Sequence, residues 1–339
     1  RLLAAFDNLD EMTDGLLVHS ENWQALNLLQ EKYRERVKCI YIDPPYNTGH
    51  DEFIYRDEYQ HSCWAAMMES RLVLAREMLR HDGCIFVNSD DNEQARLKLL
   101  MDVVFAAENF LANVVWEKAH TRKNSARYFS VSHDHIHAYA RDKTQWDRVL
   151  LPRENTSAYA NPDNDPKGPW KPDPVYANNP YDVHYTITKP NGTKLNPPPG
   201  QYWRFSEETF KAKVAAGEVI WGSGNAYPMV KRYLAEVQEG LVPVTLFTRD
   251  FAGDNSAANE ELNMLFGEGR VMTYPKPTQL VRRLMQVATR PQRSELVIDY
   301  FAGSGTTGHA VINLNREDDG RRKFLLVEMA HYFEDRKSV

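Results

Sequence analysis

Two rhythms of hydrophobic and polar positions alternate along the first 145 residues. "SENWQALNLLQEKY", residues 20–33, sets Ala25, Leu26, Leu29 and Tyr33 at helical spacing behind Ser20, which is expected to cap the helix. "VKCIYI", residues 37–42, is apolar almost throughout, the pattern of a strand covered on both faces. "WAAMMESRLVLAREMLRHDG" returns to the helical period, with Gly83 expected at the C′ position that closes it. "CIFVNSDDNE" reads as a strand running into a helix start, "LLMDVVF" as that helix and "LANVVWE" as the next strand. Alternation of this kind predicts a parallel sheet with crossover helices.

From about 151 to 268 the rhythm breaks, and Pro, Asn, Gly, Trp and Tyr become frequent. "DVHYTITKPNGTKLNPPPGQYWRFS" predicts strands around an Asn191–Gly192 turn, and "SEETFKAKVAAGEV" a short helix from Ser206. This stretch is expected to be an inserted α+β domain. Near 271 the first grammar returns: "PTQLVRRLMQVATR" as a helix, "ELVIDYF" as a strand, "AGSGTTGHAV" as a glycine loop opening a helix, and "RKFLLVEM" as a strand ending in an acid. Two strands cannot form a doubly wound sheet alone, so they must join those of the first 145 residues. The expected architecture is a doubly wound, Rossmann-like α/β sheet assembled from both ends of the chain, with residues 1–150 and 269–339 as its two halves and 151–268 as the insertion.

Composition changes this picture little. The 339 residues suffice for two domains, and 42% hydrophobic with 26% charged residues is ordinary for a soluble globular protein. No apolar run approaches a membrane span. The opening "RLLAAFDNLDEM" has acids where a secretory signal carries an apolar core, and it lacks an initiating Met. Cys39, Cys63 and Cys84 have no CxxC spacing, which points to a reducing, cytoplasmic compartment. The net charge of −6 gives no global reason to bind nucleic acid, so a local patch would have to supply it.

The chemistry sits at strand ends. "DYFAGSGTTGHA" contains Gly303, Gly305 and Gly308 in GxGxxG spacing, follows a predicted strand and opens a helix, with Glu328 ending the next strand. That context fits a tight turn, close backbone approach to a ligand and an acid placed for ribose hydroxyls. The loop alone leaves a nicotinamide oxidoreductase and an S-adenosylmethionine-dependent methyltransferase both open. Asp43-Pro44-Pro45-Tyr46 ends a core strand, where open α/β sheets bind ligands. The prolines hold the backbone extended and remove two N–H donors, leaving carbonyls and a carboxylate as acceptors beside the ring of Tyr46. Such a site suits a flat group carrying an NH2, such as a nucleobase with an exocyclic amine. That amine is a poor nucleophile; acceptors gripping its hydrogens favour a pyramidal nitrogen, and a sulfonium is a strong electrophile, so in-line positioning supplies most of the catalysis.

"DPPYNTG" followed later by "FAGSGTT" resembles the β group of DNA amino-methyltransferases, the circularly permuted order in which the catalytic motif precedes the cofactor motif. "IYIDPPYNTG", "FVNSDDNE", "KNSARYFSVSHDHIHAYAR", "TYPKPTQL" and "VIDYFAGSGTTGHAVINLNRED" are similar to the modification subunits of type III restriction–modification systems. The resemblance implies S-adenosylmethionine as cofactor. It implies a catalytic motif of Asp43, Pro44, Pro45 and Tyr46, with Tyr46 stacking on the flipped base. It implies a cofactor site of Asp299, Phe301, Gly303, Gly305, Thr306 and Glu328, with Lys276 and Thr278 near the methionine moiety. Ser89 departs from the pattern, which leads one to expect an apolar residue there. Asp at the first motif position goes mostly with adenine, and type III modification subunits act on adenine, so N6-methyladenine is the expected product. The implied partners are double-stranded DNA, a second copy in a homodimer and a restriction (helicase–nuclease) subunit. Cytosine N4 as target, or a silent DNA-binding subunit, are the alternatives.

A base inside a duplex must be extruded to meet the cofactor. "WEKAHTRKNSARYFS" carries Lys118, Arg122, Lys123 and Arg127 against a lone Glu117, interleaved with Trp116, Tyr128 and Phe129. Lys118, Arg122, Lys123, Arg127 and Phe129 are therefore expected at DNA. The insertion is the expected target-recognition domain. His133, His135 and His137 share one face of a strand and three such imidazoles could bind zinc, but the chemistry above has no use for a metal, so none is expected.

Overall fold

A computed structural model describes residues 12–48, 60–153, 156–237, 240–267 and 272–329. The opening segment and Gly49 of the DPPYNTG run lie outside these. The chain divides into two units, residues 152–241 and the remainder.

Among the described residues of the larger unit, eight strands form one sheet: β1 (Gly15–His19), β2 (Val37–Ile42), β3 (Leu79–Ser89), β4 (Phe110–Glu117), β5 (His133–Ala140), β6 (Leu246–Phe247), β7 (Leu296–Asp299) and β8 (Lys323–Glu328). Their order is β1-β8-β7-β2-β3-β5-β4-β6. The late strands thus enter between the early ones. β7 pairs with β2 and β8 with β1, all parallel. Every residue of β2 is buried. Ile40 and Ile42 face one core with Trp64, Met68 and Leu72, while Cys39 and Tyr41 face the other with Leu280, Leu284 and Val311. Burial on both faces is why "VKCIYI" shows no alternation.

The sheet is mixed, where regular alternation predicts a parallel one. β5 runs antiparallel to both β3 and β4. No helix separates β4 from β5, so the chain returns directly and must reverse. Helices α1 (Asn22–Tyr33), α2 (His61–Met78) and α3 (Gln94–Phe105) cover one face; α4 (Arg249–Ala252), α6 (Thr278–Ala288) and α7 (Thr306–Asp318) cover the other, with α5 (Asn255–Phe266) between α4 and α6 in the chain.

Three local expectations are corrected. Glu21 caps α1 in place of Ser20, its carboxylate accepting the Gln24 N–H at 3.0 Å. α2 stops at Met78, and Gly83 lies inside β3, where the register with β2 slips. A Cβ at Gly83 would stand 2.9 Å from the Val37 carbonyl oxygen, so close strand contact explains this glycine. The insertion ends at Leu241 and not near 268. Residues 242–267 have loop-like composition, yet β6 pairs with β4 and the buried Trp116 indole donates to the Gly253 carbonyl at 2.8 Å.

The smaller unit has a three-stranded antiparallel sheet of Trp170–Pro174, Met229–Tyr233 and Val219–Ile220. The hairpin of Ile187–Thr188 and Lys194–Leu195 turns at Asn191–Gly192, with Gly192 at φ 83°. Ser206 caps the helix Glu207–Ala215. Its core gathers Val175, Ile187, Trp203, Phe210 and Val230.

Candidate active site

All eight strands bring an end to one edge of the sheet: the C-termini of β1, β2, β3, β4, β6, β7 and β8, and the start of the antiparallel β5. From β7 the chain crosses through α7 to β8 on one side; from β2 it crosses through α2 to β3 on the other. The strand order therefore reverses between β7 and β2, the switch point where such sheets bind ligands.

At β2 this edge carries Asp43. Lys276 Nζ donates to Asp43 Oδ2 at 2.5 Å, while Asp43 Oδ1 is buried without a hydrogen-bond partner. Lys276 Nζ also lies 5.0 Å from the centre of the Tyr46 ring and 6.0 Å from that of Trp116. The loop that presents these groups is braced from behind. The buried Trp64 indole donates to the Pro45 carbonyl at 2.7 Å. Asn47, at φ 58°, donates to Glu93 Oε1 at 2.7 Å, and His61 Nδ1 contacts the same oxygen at 2.5 Å. The Pro45 carbonyl therefore faces inward and is not left to the crevice as the sequence leads one to expect.

Asp134, which sequence reasoning passed over, completes the corner. It opens β5 on the face opposite His133 and His135, is buried, and pairs with Lys118 at 2.6 Å. The Tyr46 hydroxyl donates to it at 3.4 Å. Burial raises the Asp134 carboxyl despite Lys276 and Lys118 nearby. Burial together with Asp134 and Asp43 holds the Tyr46 phenol well above its ordinary range. An acid inside an otherwise buried strand was the available signal.

Across the switch point, Asp299 ends β7. Its Oδ1 accepts the Phe301 N–H at 3.0 Å and its Oδ2 the Thr307 hydroxyl at 2.5 Å. Burial nevertheless pushes it up to about 7, with Asp43 and Glu328 adding to the rise. Gly303 and Gly305 turn the chain at φ 53° and 78°, and Gly305 N donates to the Ala302 carbonyl at 2.8 Å. Gly308 is different: it is helical, and a Cβ there would crowd Leu326 and Phe324 of β8 at 3.1 Å. Glu328 accepts the Gly303 N–H at 2.6 Å and the Met329 N–H at 3.0 Å.

Two clefts open here. One, of about 210 Å³, is lined by Ser20, Asn22, Pro45, Arg71, Phe301 and Glu328. Its β1 side was not legible, because β1 and the turn after it carry no motif. The other, of about 180 Å³, is lined by Glu261, Lys276, Thr278, Ser304, Thr306 and His309 among others. Both the N–H and the hydroxyl of Thr278 donate to Glu261 at 3.0 Å.

The expected DNA-contacting residues separate. Lys118 turns inward to Asp134, while Arg122, Lys123 and Arg127 are exposed in the β4–β5 loop. Tyr128 and Phe129 beside them are 81% and 90% exposed. Of the three histidines, His137 is buried against the Gln94 carbonyl and pushed down to about 4 by burial, while His133 and His135 approach Asp91. Ser89 is fully buried with its hydroxyl unpartnered.

Over residues 37–336, which hold the acid–proline–proline–tyrosine corner and the glycine loop, the chain matches the family model described as DNA methylase, N6_N4_Mtase, and it belongs to this family. It is 33% identical to the StyLTI Mod subunit, a type III restriction–modification enzyme of Salmonella typhimurium, over 92% of this chain and 52% of that protein. It is 28% identical to the EcoP15I Mod subunit of Escherichia coli, over 96% of this chain and 60% of that one. It is also 28% identical to the type II methyltransferase M.KpnI of Klebsiella pneumoniae, over 96% of this chain and 84% of that one. The chain thus spans between half and two thirds of the Mod subunits named here. Among solved structures it resembles the PvuII cytosine-N4-specific DNA methyltransferase at a TM-score of 0.49 and 13% identity, over 94% of this chain and 82% of that one.

Proposed function

We propose that the protein transfers a methyl group from S-adenosylmethionine to N6 of an adenine extruded from duplex DNA, as the modification subunit of a type III system. Asp43 carries this reading. One of its oxygens is buried with no donor, an arrangement that is costly unless a ligand completes it. An exocyclic amine supplies the missing N–H, and the Tyr46 ring offers the face on which its base stacks.

The residues of the first cleft suit an adenosine. Phe301 offers a ring and the Glu328 carboxylate stands at the end of β8, where ribose hydroxyls would meet it, while Gly303 and Gly305 turn the neighbouring loop. When bound, S-adenosylmethionine supplies the methyl group from a sulfonium. Asp43 grips the amine, favours its pyramidal form and stabilises the positive charge that develops on nitrogen. Trp64, through the Pro45 carbonyl, fixes where Asp43 and Tyr46 stand.

Arg122, Lys123 and Arg127 act on phosphates and Phe129 on an unstacked base, which their exposure supports. The smaller unit serves as the base reader. Kinship with Mod subunits extends the proposal to a homodimer and a restriction partner in the cytoplasm.

Incubation with labelled S-adenosylmethionine and mixed DNA, followed by nucleoside analysis, tests this. N6-methyladenine is expected. N4-methylcytosine in its place overturns the target, and transfer to no DNA overturns the activity. In Asp43→Ala, turnover falls by orders of magnitude while DNA binding is largely kept.

A further inference from the structure

Lys276 stands where the proposed chemistry needs nothing cationic. An ammonium 2.5 Å from Asp43 Oδ2 leaves only Oδ1 to the target amine, and it lies over the ring on which the base stacks. It also cancels the negative charge meant to stabilise positive charge on the reacting nitrogen, and like charges at such separation repel. For Asp43 to act with its full charge and for Tyr46 to receive a base, Lys276 has to leave.

Its backbone cannot move far. Pro275 and Pro277 flank it and restrict the chain on both sides. The Thr306 hydroxyl, from the start of α7 after the glycine loop, donates to the Lys276 carbonyl at 3.2 Å. What remains free is the four-carbon side chain. That side chain lines the second cleft as well, beside the hydroxyls of Ser304 and Thr306. Glu261, the acid among the cleft's lining residues, is already engaged by the two Thr278 donors. The Ser304 and Thr306 hydroxyls are engaged with each other and with the Lys276 carbonyl, so the group this cleft offers a carboxylate is the Lys276 ammonium itself.

We propose that Lys276 is a placeholder for the target amine and a gate coupled to the cofactor. Without cofactor it closes the catalytic corner; it swings to the second cleft when that cleft holds the carboxylate of the methionine moiety, and the corner then accepts a base. This rests on the methyltransferase reading above.

The experiment uses the whole chain and a duplex with 2-aminopurine at the target adenine, the site having been found by sequencing DNA methylated by the wild-type protein. Calorimetry first establishes that wild-type protein binds S-adenosylhomocysteine. In wild type, 2-aminopurine brightens with S-adenosylhomocysteine. It stays dark without cofactor and with decarboxylated S-adenosylmethionine, which keeps the sulfonium and lacks the carboxylate. In Lys276→Met it brightens with no cofactor, and affinity for S-adenosylhomocysteine falls roughly ten- to a hundredfold, the scale of one charge-assisted hydrogen bond. In Lys276→Arg the cofactor requirement returns. A merely structural ion pair would not shift that requirement. Equal brightening of wild type with and without cofactor, or with the decarboxylated compound, overturns the gate. So does a Lys276→Met protein as cofactor-dependent as wild type. Failure of the methyltransferase reading looks different: no heat with S-adenosylhomocysteine and no methylated DNA.

Discussion

Asp299 ties the glycine-loop side of the site to the stability of the fold. Its carboxyl is 3% exposed and raised from 3.8 to about 7, chiefly by burial. An acid raised on folding is less ionised in the native state than in the unfolded chain. Between the two values the unfolded chain holds fewer protons, so stability falls as pH rises through that window. At about 1.4 kcal/mol per tenfold, the full displacement is worth about 4 kcal/mol, of which roughly 2 to 3 kcal/mol falls between pH 5 and pH 8. Asp299→Asn removes the ionisation while keeping an oxygen for the Phe301 N–H. Urea unfolding of both proteins at pH 5 and pH 8 gives the comparison. The variant should gain stability relative to wild type by roughly 2 kcal/mol on going to pH 8, whatever its absolute stability. Other raised acids, such as Asp134, contribute equally to both proteins and cancel in the difference. A wild-type-minus-variant difference that stays constant with pH would falsify the assignment of a protonating acid beneath the glycine loop.

Gly305→Val places a β-branched residue at φ 78°, at a cost of about 1–2 kcal/mol, with the nearest atom to the new Cβ at 3.8 Å. The fold should survive and S-adenosylmethionine binding should be lost; unchanged affinity by calorimetry removes this loop from the cofactor site. Trp64→Phe strands the Pro45 carbonyl in the core and should cost about 1–3 kcal/mol in urea unfolding beyond the ring atoms removed. It should also lower turnover, since Asp43 and Tyr46 flank the freed peptide; an unchanged kcat would show that the brace does not position them. Replacing Arg122 and Lys123 with Ala should weaken all DNA alike and flatten the salt slope. Loss confined to cognate DNA would mean that they read bases.

The strands at the switch point were readable because burial on both faces writes a continuous apolar run, and because the motifs at their ends have mechanistic spacing. β5 betrayed its position but not its direction, which depends on the absence of a helix across 118–132. Asp134 was hidden among three histidines: their common face drew notice, while the acid on the opposite face makes the contact with Tyr46. Gly83 looked like a helix stop because close approach to a neighbouring strand leaves no local mark. Lys276 was placed on the cofactor side by its motif; its contact with Asp43 joins residues 233 positions apart, which no local pattern encodes.

The position of β7 has a consequence for how the chain is made. β2 is complete at residue 42, but the strand that covers one of its edges begins at residue 296. At about 5–20 residues per second on the ribosome, that edge waits roughly ten seconds to a minute for its partner. "VKCIYI" is the kind of apolar, β-prone segment that joins other chains when its edge is open. Its one charge, Lys38, is held to Asp82 of β3 in the finished protein, so nascent β2 depends on early pairing with β3 and on whatever holds its other side. Interrupted synthesis before residue 296 therefore leaves a chain with the Asp43–Tyr46 corner but neither the glycine loop nor a closed sheet. Such a product, with one edge of β2 unpaired, should be an aggregation hazard.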